Sequence, residues 1–167
     1  MKVKDIVLVG ILSASVTAGK LALSFIPNIE IVTLLFIVFT VSLGIKRSLL
    51  IAIIFATTEI LIYSFSTWLL LYYFIWPLLV VVTGLLSKMI RSEYSYAALA
   101  AVFGLTFGLA AAISESIFYG ISYGIVYWTR GIVFDIVHGV SNFIIVLLLY
   151  KPLSKFFKKQ IAQFMQG

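Results

Sequence analysis

Apolar residues run along this chain in six long blocks, at about 5–23, 31–44, 48–65, 68–87, 97–118 and 131–150, with short polar breaks between them. A membrane-crossing helix needs about 20 residues. The pattern therefore predicts an all-α membrane protein, a compact six-transmembrane-helix bundle that fills residues 1–167 as one integral domain. The breaks carry turn chemistry. Pro27 and Asn28 end the first block, and Gly44-Ile45-Lys46-Arg47 turns the chain after the second. Ser64-Phe65-Ser66-Thr67 follows the third. The stretch 88–96 is the most polar interior break, and 119–130, rich in Tyr and Gly, is long enough for a lid or a re-entrant segment. Pro77 is expected to kink the fourth helix. The first block resembles a signal peptide, but its small residues make no compelling cleavage site and five more spans follow, so it is read as a retained helix.

Charge orients this threading. Ten of the twelve basic residues (Lys2, Lys4, Lys46, Arg47, Lys88, Arg91, Lys151, Lys155, Lys158 and Lys159) fall on one side, and only Lys20 and Arg130 on the other. Basic residues in short loops stay cytoplasmic, which puts both termini inside and the protein in the plasma membrane. Asp5 and Glu93 are then internal, whereas Glu30, Glu59, Glu115 and Asp135 lie toward the outer half. An ionisable group within a span costs roughly 2.5–3.5 kcal/mol on insertion scales, so it usually faces a cavity. Composition agrees, with 63% hydrophobic and 11% charged residues and a mean hydropathy of +1.19. The net charge of +6 is accounted for by basic helix ends, so no nucleic-acid partner is expected. The basic tail 151–159 is suited to lying on an anionic inner leaflet. With no cysteine there is no disulfide framework and no thiolate metal site.

Two small-residue stripes stand out. Gly10, Ala14, Ala18 and Ala22 recur at a spacing of four on the first helix, and Gly104, Gly108 and Ala112 do so on the fifth. Such stripes let a second helix approach closely, either inside the bundle or on a partner. Trp68, Tyr72 and Trp76 share one face of the fourth helix.

The strongest polar constellation is Asp135, His138 and Asn142, three residues on one face of the last helix. It reads as part of a binding site, or as an interhelical hydrogen-bond cluster. Glu59 and Glu115 each precede a tyrosine by four residues, Tyr63 and Tyr119. A carboxylate beside an aromatic ring suits a cationic or amino-bearing heteroaromatic ligand, by charge-assisted hydrogen bonds and stacking. Some of Trp68, Tyr123, Tyr127 and Trp128 belong to an interfacial aromatic belt. One histidine and no paired-histidine spacing give no expected metal centre. No activated nucleophile stands out, no phosphate-binding loop is present, and no cofactor is expected. A binder without an engine implies partners.

These residues resemble a known family. A small six-span chain with an Ala14-x-x-x-Ala18 stripe, an outward pocket and no ATPase resembles the substrate-binding (S) components of energy-coupling factor (ECF) vitamin transporters. The stretches Phe25–Thr33 and Phe134–Asn142 resemble the hydroxymethylpyrimidine-type members. The resemblance implies a transmembrane coupling (T) protein and two cytoplasmic ATPase subunits as partners, with Gly10, Ala14 and Ala18 facing the coupling protein. It implies Glu59 or Glu115, His138 and Asn142, with aromatic rings, as substrate contacts, and an S component that topples in the lipid bilayer; the residue pattern adds Tyr63, Trp68, Tyr72, Tyr119 and Asp135 to the candidate substrate site. Hydroxymethylpyrimidine fits the carboxylates and aromatics best; pyridoxine, pantothenate and cobalamin are alternatives. Outside this family, an intramembrane enzyme using Asp135, His138 and Glu115, or a structural subunit, would account for the same residues.

Overall fold

The computed structural model describes residues 3–90 and 92–166, which form six α-helices: α1 (Val3–Leu23), α2 (Val32–Leu43), α3 (Ile45–Tyr63), α4 (Thr67–Leu86), α5 (Glu93–Tyr119) and α6 (Ile121–Gln166). No strand occurs among the described residues. Of the basic residues that orient the chain, Lys2 and Arg91 lie outside the described residues.

Four helices, α1, α4, α5 and α6, are long and apolar enough to cross a membrane. The other two differ for separate reasons. α3 has 19 residues but carries Lys46, Arg47 and Glu59. α2 has only 12, about 18 Å of helix, well short of a hydrocarbon core of about 30 Å. Its nine residues from Val32 to Thr40 are all buried, and it touches all five other helices. α2 is thus a central post wrapped by the rest of the bundle. Phe36 and Phe39 from α2, Phe55 from α3 and Trp76 from α4 form its aromatic core, with Phe36 stacked on Trp76 at 5.4 Å.

The outer faces are apolar. Ile11, Phe74, Val102, Ile117 and Leu148 are among many large hydrophobic side chains that point away from the bundle. Water would penalise such a surface and lipid does not. Two ion pairs tie helices together, each with a partly exposed basic partner. Arg47 reaches Asp5 at 2.7 Å between α1 and α3, and Lys151 reaches Glu93 at 2.5 Å between α6 and α5.

α5 and α6 meet along glycines. A Cβ on Gly104 would stand 2.8 Å from the His138 carbonyl, and one on Gly139 would stand 2.5 Å from Leu105 Cγ. The small-residue stripe of α5 therefore packs inside the bundle. The stripe of α1 does not: Gly10, Ala14, Ala18 and Ala22 are all exposed, and a Cβ at Gly10 would meet nothing within 4 Å.

Two connections differ from the sequence pattern. Residues 121–130 are helical, not a lid or a loop, and the tail beyond Tyr150 continues the same helix through Pro152. Gly120 alone turns the chain, at φ +88°, a conformation open essentially to glycine. Gly124 then lets the start of α6 fold back on α5, where any Cβ would lie 2.7 Å from the Ala112 carbonyl. The resulting α6 has 46 residues, about 69 Å, longer than the bilayer is thick. α4 likewise runs unbroken through Pro77.

Candidate functional site

Because α2 is short, the bundle has a recess above its N-terminal end, roofed by the connection 24–31. The recess is a cavity of about 360 Å³. Every helix contributes to its wall: Lys20 and Leu23 from α1, Val32 from α2, Tyr63 from α3, Trp68, Tyr72 and Trp76 from α4, Phe107 from α5 and His138 from α6. Asn28 and Glu30 come from the roof.

One side is an aromatic cage around a charge. Lys20 forms an ion pair with Glu59, and its ammonium lies 4.5, 5.7 and 5.3 Å from the ring centroids of Tyr63, Trp68 and Tyr72. Glu59 is fully buried behind it, and its second oxygen, Oε1, has no hydrogen-bond partner. The i, i+4 spacing of Glu59 and Tyr63 on α3, and of Trp68, Tyr72 and Trp76 on α4, brings these groups to one wall.

Where the roof meets α6, the recess holds a carboxylate–imidazole pair. Glu30 Oε1 lies 3.4 Å from His138 Nε2, and Glu30 Oε2 accepts the backbone N–H of Thr33 at 2.9 Å. The acid therefore sits at the positive end of the α2 dipole. Burial pushes the Glu30 carboxyl up, but the His138 hydrogen bond and charge and the Thr33 contacts outweigh it and hold the group below its ordinary range. Phe107 packs against the His138 ring at 5.3 Å.

A second cavity of about 470 Å³ lies between α5 and α6, lined by Gly108, Tyr123, Tyr127, Arg130, Phe134 and Asp135 among others. Asn28, Phe107 and His138 line both spaces and so form the partition between them. Asp135 accepts the backbone N–H of Gly108 at 2.9 Å. Only a glycine permits this, since a Cβ there would stand 2.3 Å from Asp135 Oδ1.

The sequence-predicted residues thus divide. Tyr63, Trp68, Tyr72 and His138 line the first cavity, and Asp135 and His138 line the second. Glu59 stands behind the first wall through Lys20. Glu115 lines neither: it is buried and accepts the Thr67 hydroxyl at 3.0 Å, joining α5 to α4. Tyr119 is exposed and packs on Tyr123, and Asn142 bonds to Thr33 inside the bundle. Asp135 and His138 also lie deeper than expected, because α6 begins at Ile121, so Asp135 is about 21 Å along the helix.

Sequence reasoning left Lys20, Asn28, Glu30 and Phe107 outside the site. Lys20 carried a signal, as one of only two basic residues on the outer side. Glu30 also carried one, an acid three residues before Thr33 at a helix start. The chain matches no protein-family model, no curated protein and no solved structure.

Proposed function

We propose that this chain is the substrate-binding subunit of an ECF-type vitamin transporter in the plasma membrane, with both termini cytoplasmic. It holds a small planar N-heteroaromatic in the recess above α2, and hydroxymethylpyrimidine is the best candidate. The observation that carries the reading is the recess itself, with aromatic walls and a carboxylate–imidazole pair in one cavity of ligand size.

The chemistry fits a flat ring bearing N–H groups. Tyr63, Trp68, Tyr72 and Phe107 offer faces for stacking, and Glu30 and His138 offer polar partners at the ring edge. An anion such as pantothenate fits less well, because the one lysine in the wall is already neutralised by Glu59. The recess also lies at the end of the bundle away from the Asp5–Arg47 pair, which is where an outward-facing site belongs under the charge-based orientation.

The exposed stripe of α1 supports the partnership. Its small residues are not used inside the bundle, which leaves them for a coupling protein that works with two ATPase subunits. Mass spectrometry of small molecules released from the purified protein, followed by titration with hydroxymethylpyrimidine and pyridoxine, tests the proposal. Release of a pyrimidine or pyridine is expected. A protein that releases no such molecule and binds neither compound overturns it.

A further inference from the structure

The cage of Tyr63, Trp68 and Tyr72 is already filled by the protein's own cation. Three ring faces surround the Lys20 ammonium at 4.5–5.7 Å, and Glu59 closes the fourth side as counter-ion. Aromatic faces around a buried carboxylate select positive charge, through the ring quadrupoles and the carboxylate together. Three aromatic rings and a buried carboxylate are more than one lysine at the end of a helix requires for its solvation. Glu59 in fact retains a second buried oxygen that Lys20 leaves without a partner.

The geometry points to Lys20 as an internal stand-in for a ligand cation: this end of the cavity takes an organic ammonium or a protonated or alkylated ring nitrogen, which displaces the Lys20 ammonium from the cage. This rests on reading the recess as a ligand site, and it names the group that the cage end takes. Lys20 is built to be displaced. It sits in the last turn of α1, its side chain is one-fifth exposed, and its four-carbon stem is flexible enough to swing toward solvent at the mouth. The cage residues lie on α3 and α4 and are braced ring against ring, Trp68 on Tyr72 at 5.5 Å and Tyr72 on Trp76 at 5.5 Å, so they stay in place when Lys20 leaves. Exchange of one cation for another conserves the Glu59 pairing. A neutral group placed in the cage would leave a buried carboxylate unpaired, whereas a neutral ring held at the Glu30–His138 end leaves the Lys20–Glu59 pair in place.

The test uses the full chain in lipid nanodiscs, with choline as the cationic probe and 3,3-dimethylbutanol as its uncharged isostere. Lys20→Met empties the cage and leaves Glu59 without its partner. Choline should bind this variant at least tenfold more tightly than it binds the parent and should raise its thermal midpoint, and 3,3-dimethylbutanol should do neither. Adding Glu59→Gln should abolish the gain. Equal binding of choline to parent and variant, or an equal gain for both probes, overturns the proposal. Should Lys20→Met not fold, the parent protein answers by lysine acylation read by mass spectrometry. Choline should speed labelling of Lys20 relative to Lys155, and slowed or unchanged labelling overturns the displacement. Neither arm involves a vitamin or a coupling protein, so failure here is distinct from failure of the transport reading.

Discussion

Asn142 donates from Nδ2 to the Thr33 hydroxyl at 3.3 Å, with both side chains buried. The last member of the Asp135–His138–Asn142 face therefore ties α6 to the central post α2 and lines neither cavity. Removing one partner leaves the other unsatisfied in a dry interior, which costs about 1–3 kcal/mol. Asn142→Ala should lower the thermal midpoint while leaving affinity for an aminopyrimidine within about twofold. A variant of parental stability with lost binding would return Asn142 to the site.

Gly104 admits the His138 backbone, whose carbonyl would stand 2.8 Å from any added Cβ. Backbone cannot rotate away as a side chain can, so Gly104→Ala must push α6 off α5. Overpacking of this kind costs about 1–3 kcal/mol. Because His138 is carried on the displaced turn, affinity should fall together with stability. Gly10→Ala, where a Cβ meets nothing, is the control and should leave affinity unchanged and stability equal to or above the parent's.

Glu30 is held below its ordinary carboxylate range, so its ionised form stabilises the fold. The sign follows: the contribution is present above the unfolded value of 4.5 and is lost as pH falls through the lower folded value. Glu30→Gln should therefore be less stable than the parent at neutral pH, with the difference shrinking toward zero on acidification below about 4.5. Urea or thermal unfolding of both proteins across that range measures it. A difference that grows in acid would show that Glu30 is not held as an anion.

Orientation is open to direct labelling, since the chain has no cysteine of its own. Single cysteines at Ser66 and Ser122, at the α3–α4 turn and the start of α6, should react with an impermeant maleimide added to whole cells. One at Ser92, the N-cap of α5, should not. The reverse pattern would place the recess on the cytoplasmic side and remove the case for an outward-facing site.

The helical architecture was legible because long apolar blocks and glycine or proline breaks are local signals. Five of the six blocks begin and end within a few residues of a helix. The sixth was truncated at both ends, since Gly124 and the tyrosines of 119–130 read as loop composition, yet that glycine serves close packing on Ala112. Depth was not legible either. That α2 is a short, buried post depends on which helices surround it, and the recess lies where α2 stops short. Pairing was the least visible layer. Lys20 and Glu59 are 39 residues apart, and Glu30 and His138 are 108 apart. Periodicity places each residue on a face but cannot say which faces meet.

The α1 stripe yields the sharpest test of partnership. Gly10, Ala14 and Ala18 face away from the bundle, so added volume there meets no neighbour within this chain. Were the surface merely lipid-facing, an apolar ring would be tolerated at no cost to assembly. If it seats a coupling helix, close approach depends on small residues, and a bulky side chain forces the helices apart. Ala14→Trp and Ala18→Trp should therefore fold normally and retain ligand affinity within about twofold, while co-purification with a coupling protein and its ATPases falls at least tenfold. Complexes recovered in parental yield from both variants would remove the stripe from the docking surface.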